Sequence, residues 1–185
     1  SNFPAAAQAV NELIDDLTNW YVRRSRRRFW KSEADMDKSA AYATLYHVLV
    51  KLIRLLAPMV PFVTEIMYQN LVRGVQPQAA ESVHHTTWPE RDQSVIDEKL
   101  LEQMALTRRI ASLGLSARAS NNLKVRQPLA RVLVYAGKMR LSEELVEVVL
   151  DELNVKGFEW VDTPEKLVTY RILPDNKLLG PKFGA

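Results

Sequence analysis

Asn19-Trp20-Tyr21-Val22-Arg23-Arg24-Ser25-Arg26-Arg27-Arg28-Phe29-Trp30 joins five arginines to four aromatic rings in twelve residues and holds no acidic side chain. The apolar residues that lead into it (Val10, Leu13, Ile14, Leu17, Tyr21) recur at three- and four-residue steps, so the spacing predicts a helix running through the tract. Trp20, Arg23, Arg24, Arg27 and Lys31 then share one side at helical spacing, while Val22, Phe29 and Trp30 are expected to pack inside. Guanidinium groups fixed beside flat rings suit a folded nucleic acid, because phosphates take the cations and unstacked bases lie on the rings. A solvated basic face is the competing reading. Like charges three and four residues apart repel one another, a cost that a polyanionic partner relieves.

Around this tract the chain reads as mainly α. One helix is predicted from Phe3 to about Lys31, and a second from Met36 to Ala57 behind an N-cap at Asp35 or Asp37. Pro58 and Pro61 break the chain, because proline lacks the N–H and clashes with the preceding turn, and Pro61 can open a third helix to about Arg73. Glu65 near that start suits the helix dipole and reads as structural. Residues 74–91 read as a loop, and helical period returns from Asp92 to about Ala119. The fold class expected is an antiparallel helical bundle over residues 1–119, followed by a small α+β unit over 120–185 that is incomplete at its end. In that unit Arg131–Tyr135, Val155–Val161 and Lys166–Leu173 read as strands, and Leu141–Leu153 as an amphipathic helix.

The totals narrow the function classes. Of 185 residues 47% are hydrophobic and 25% charged, which is ordinary globular composition, and the net charge is only +3. A nucleic-acid reading therefore rests on where the charge lies. Between Glu102 and Glu143 eight cations (including Arg118, Lys124, Arg126 and Arg131) meet no acid at all. Lys124 and Arg126 fall in a predicted loop; the alternative is that the tract balances the acids of the helix after it.

Zero cysteines exclude disulfides and thiolate zinc sites and fit a reducing compartment, so the expected location is cytoplasmic. No apolar run is long enough for a membrane span. His84 and His85 lack a third ligand at suitable spacing, so no metal site is expected. No glycine-rich phosphate loop and no catalytic triad are present, and Lys138-Met139-Arg140-Leu141-Ser142, which superficially matches an ATP-binding KMSKS loop, lacks its second lysine and an upstream nucleotide-binding sheet. Ser1-Asn2 reads as a cloning remnant and the chain ends without a polar terminus, so the expectation is a domain taken from a longer protein.

Several segments resemble one family in order along nearly the whole chain. Asn19 to Trp30 is similar to the first long helix of the anticodon-binding domain of isoleucyl-tRNA synthetases. Leu55-Leu56-Ala57-Pro58-Met59-Val60-Pro61-Phe62 with Glu65 resembles the helix break of the related class I synthetases, and Glu81-Ser82-Val83-His84 with Trp88-Pro89 the loop after it. Leu123-Lys124-Val125-Arg126-Gln127-Pro128-Leu129 and Lys177 to Gly184 resemble later segments of the isoleucyl enzymes, and the first of these, with the arginine-rich helix, favours isoleucine over valine.

The resemblance implies a non-catalytic, tRNA-binding module that docks the anticodon stem and loop of isoleucine tRNA, with Trp20, Arg23, Arg24, Arg27, Arg28, Lys124 and Arg126 as the contact residues. It implies no cofactor in this fragment; ATP and Mg would belong to the catalytic domain upstream in the same chain, which with an editing domain would complete a ligase joining isoleucine to its tRNA. A protein-interaction bundle, or the equivalent valyl domain, is the alternative.

Overall fold

The computed structural model of the chain describes residues 3–31, 35–164 and 167. These fall into two compact units, Ser1–Arg91 and Asp92–Ala185.

In the first unit α1 (Phe3–Asp15) continues through a π-helical stretch, Asp16–Val22, into α2 (Arg23–Phe29), and the junction residues Asp15, Val22 and Arg23 all keep helical dihedrals. The expected long helix is therefore present as one continuous rod whose middle turn is widened. The local side chains account for the widening. Thr18 Oγ1 donates to Ile14 O at 2.8 Å, competing for a main-chain acceptor, and Asn19 Nδ2 donates to Asp15 Oδ1. The rod ends at Trp30, whose N–H still reaches Arg26 O.

Asp35 caps α3 (Met36–Leu56) by accepting from Lys38 N at 2.7 Å. After the Pro58 break, Pro61 occupies the first turn of α4 (Pro61–Tyr68), which passes into a second π-helical stretch, Gln69–Arg73. Apolar positions of α3 and α4 meet in a core of Ile53, Ala57, Tyr68, Val72 and Val83. Among the described residues α3 alone is long and apolar enough to cross a membrane by composition, yet it packs against α2 and α4 and carries Lys51 and Arg54 along its length.

The loop expected over residues 74–91 contains one short 3-10 turn, Val83–His85. Glu65 ties it down. Its carboxylate accepts from Ser82 Oγ at 2.7 Å, Val83 N at 3.0 Å and Gln69 Nε2 at 2.7 Å. These bonds, with that from Gln69 the largest cause and that from Ser82 next, hold the carboxyl below its ordinary pKa. Glu65 is thus a structural group.

The second unit is built on α5 (Glu98–Ser120), capped by Asp97, whose side chain accepts from Leu100 N. β1 (Val132–Val134) and β2 (Phe158–Trp160) form a two-stranded parallel sheet with Val132 opposite Phe158 and Val134 opposite Trp160. Parallel pairing demands a crossover, and α6 (Glu143–Leu153) supplies it. Ile110, Val134, Val149 and Leu153 are the core. The expected strand over Val155–Val161 is present in shorter form, and the one over Lys166–Leu173 lies outside the described residues. α5, grouped by its helical period with residues 1–119, shares its core with α6 and β1. The change of pattern at Ser120 marks a switch from helix to strand, and the packing boundary falls earlier, at Arg91.

Candidate nucleic-acid interface

α2 meets α3 through a ring cluster. Tyr21 meets Phe29 edge-on and Phe29 meets Tyr42 at a tilt, with centroids 6.4 and 5.0 Å apart; Tyr21 Oη donates to Ala41 O, and Ser25 and Ala41 are buried. Ser25, the one small side chain inside the arginine run, is buried on a helix that packs against α3. This anchor determines which side of the rod points away, and the arginines divide accordingly.

Arg23 and Arg24 stack on the partly buried Trp20 ring at 6.0 and 5.6 Å, and Arg23 Nε also donates to Asn19 O at 2.8 Å. Arg27 is exposed. Arg26 lies 5.6 Å from the ring of Trp30, which is 78% exposed. Trp30 was expected inside with Val22 and Phe29; Phe29 is buried and Val22 partly so, but Trp30 sits at the helix C-cap, where the backbone leaves helical geometry and turns the ring outward.

Arg28 has a different setting. Its Nε pairs with Asp37 Oδ1 at 2.8 Å and its Nη2 donates to Asp37 O at 3.1 Å. Lys31 Nζ reaches Asp35 Oδ2 at 3.0 Å and Asp37 Oδ2 at 3.1 Å. Hydrogen bonding to Asp35 first, then Asp37, raises the Lys31 pKa above the usual lysine value. The Asp35 carboxyl is lowered chiefly by the Lys38 N–H that it caps, and Asp37 chiefly by the Lys31 bond, with the Arg28 charge contributing. The C-terminal end of the arginine run is thus neutralised from the start of α3. No pattern along the helix announces that pairing, since Asp35 and Asp37 read equally well as caps.

In the second unit the acid-free tract also separates by setting. Arg131 pairs with Glu159 at 3.0 Å. Arg140 donates to Gly137 O and Met139 O, stacks on Trp160 at 4.9 Å and lies 3.9 Å from Asp162, which makes the Lys138–Ser142 segment a structural turn. Arg118 is buried at 4% exposure, a setting that charge alone did not announce. Lys124 and Arg126 are exposed, on the loop between α5 and β1. Trp20 to Arg28 and the Lys124–Arg126 pair therefore belong to separate units. Among the described residues no group of histidines and acids could hold a metal ion.

The first unit thus carries guanidinium groups beside rings on one rod, and the second carries a cationic loop. Residues 1–134 match the model of the family described as the anticodon-binding domain of tRNA ligase, and the chain belongs to that family. It is 45% identical over 187 residues to the isoleucine–tRNA ligase of Thermus thermophilus and 47% identical over 181 residues to that of Thermobifida fusca, covering 97% of this chain in each case. The isoleucine–tRNA ligase of Dehalococcoides mccartyi strain 195 is 53% identical over 155 residues, 82% of the chain. The chain spans only 18%, 17% and 15% of the length of these relatives, so it corresponds to one part of such a protein.

Proposed function

We propose that this chain docks isoleucine tRNA by its anticodon stem and loop, as the tRNA-binding part of an isoleucine–tRNA ligase. The observation that carries the reading is the Trp20–Arg27 stretch, where rings and guanidinium groups share one rigid rod inside a chain of the anticodon-binding family. Arg23, Arg24 and Arg27 take phosphates, and Trp20 offers a face to an unstacked base. Lys124 and Arg126 add phosphate contacts from the second unit. Arg28 serves the RNA less directly, through the helix pair it holds with Asp37.

In the whole protein, ATP and Mg serve a catalytic domain upstream in the same chain, where isoleucine is activated and transferred to the tRNA in the cytoplasm. This chain itself does no chemistry. The relatives' names support isoleucine over valine.

Filter binding of isoleucine tRNA against valine tRNA, each with native and altered anticodon, tests partner and site together. The expected order has native isoleucine tRNA tightest, with affinity falling as salt rises. Arg23→Glu with Arg27→Glu lowers the slope of log affinity against log salt by about one per arginine removed, because each phosphate contact releases counterions. Unchanged affinity in that double variant at moderate salt rejects the reading.

A further inference from the structure

Arg118 is a buried guanidinium without a carboxylate partner among the described residues, and what it holds is the loop that carries Lys124 and Arg126. Its Nη2 donates to Lys124 O at 3.0 Å, to Val125 O at 3.2 Å and to Gln127 O. Its Nε and Nη1 meet no acceptor and are sealed from solvent, so an anion arriving from outside reaches neither nitrogen. The charge acts inward.

Two further clamps hold the same loop. Leu123 N donates to Arg118 O at 2.9 Å, and Asn154 Nδ2, from the left-handed C-cap of α6, donates to Val125 O at 2.9 Å.

Turning those carbonyls inward has a geometric consequence. In a trans peptide the C=O of one residue and the N–H of the next point in opposite directions, and the described chain has no cis bond. With Lys124 C=O and Val125 C=O facing Arg118, the N–H groups of Val125 and Arg126 face the other way. Neither donates to any acceptor among the described residues, and both residues are exposed. The third inward carbonyl, Gln127, precedes Pro128, which has no N–H to orient. Two consecutive outward N–H groups flanked by the exposed side chains of Lys124 and Arg126 form an anion-binding concavity.

We propose that the Val125 and Arg126 main-chain N–H groups, with the Lys124 and Arg126 side chains, form a phosphate cradle for the tRNA backbone, and that Arg118 is its positioning residue. The cradle rests on the tRNA reading above and adds a site to it. Because main-chain donors ignore base identity, it contributes affinity and register and no sequence preference.

The test uses the whole chain and an isoleucine tRNA transcript. In 15N-resolved spectra of the unaltered chain, the Val125 and Arg126 amide resonances shift on tRNA addition more than those of Gln127, whose N–H is already taken by Lys124 O. Arg118→Lys, whose ammonium sits on a shorter stem and falls short of the position that Nη2 holds against the three carbonyls, weakens binding about tenfold in the native background and by clearly less in a Lys124→Gln/Arg126→Gln background, the coupling expected of residues acting as one unit. A purely structural Arg118 would instead lower the melting temperature and add its effect in both backgrounds, which overturns the proposal. tRNA that binds while the Val125 and Arg126 amides stay unmoved overturns the cradle even where Arg118→Lys fails to fold, and leaves the tRNA reading standing. A chain that binds no tRNA overturns both.

Discussion

Asp37 shows how one carboxylate turns the end of an arginine run to structural use. It holds Arg28 and Lys31 at the point where α2 gives way to α3, so the charges nearest the turn are used within the protein. The pH dependence follows from its shift. A lowered carboxyl pKa in the folded state contributes stability that is present above the unfolded aspartate value of about 4 and is lost as pH falls through the folded value. Lys31, raised, contributes below the unfolded lysine value of about 10.4 and loses that contribution as pH rises past its folded value. Melting temperatures of the unaltered chain and of Asp37→Asn should therefore differ at neutral pH and converge in acid, once the pH has fallen through the lowered Asp37 value. The difference should be small, because each of these side chains is at least one-third exposed and solvent screens the pairs. Curves that stay apart in acid would place the stabilisation elsewhere.

Among the elements, α5 meets α6 tightly at Gly114. A Cβ added there would stand 2.6 Å from both terminal carbons of Leu153, a side chain only 2% exposed, so that one of the two must shift. Gly114→Ala should destabilise the second unit by roughly 1–3 kcal/mol, the usual cost of overpacking a filled core. Chemical denaturation followed by the fluorescence of Trp160, which packs against this core, reads it directly. An unchanged midpoint would mean that the helices separate without cost. Two helix starts were legible because they are local: Asp35 accepts from Lys38 N, and Pro61, lacking an N–H, fits a first turn; the start expected at Asp92 falls instead at Glu98, behind Asp97. The π-helical widening over Asp16–Val22 was not legible, since Thr18 and Asn19 are also at home in an ordinary exposed helix.

For the molecule as a whole, the two units have separate cores, one around Ile53 and Tyr68 and the other around Val149 and Leu153. Residues 1–91 and 92–185, expressed separately, should each give a helical circular dichroism spectrum and a cooperative melt. A half that stays unfolded alone would show that its core is insufficient. The family match runs from residue 1 to 134 and so crosses from one unit into the next, which means that family membership and packing follow different boundaries.

What the chain determined by itself was local or periodic: the helices, their caps, the Pro58 break, the short β segments and the clustering of arginine with aromatic residues. Those properties need only neighbours within a turn or two. Which cations face outward was decided by tertiary structure alone. Arg28 and Arg118 look like their neighbours in sequence, yet Asp37 claims one and three loop carbonyls claim the other. Trp30, expected in the core, stands exposed because the helix ends at it. The physical reason is the same in each case: a side chain's charge and shape are carried in the sequence, but its partner is supplied by whichever segment folding brings alongside.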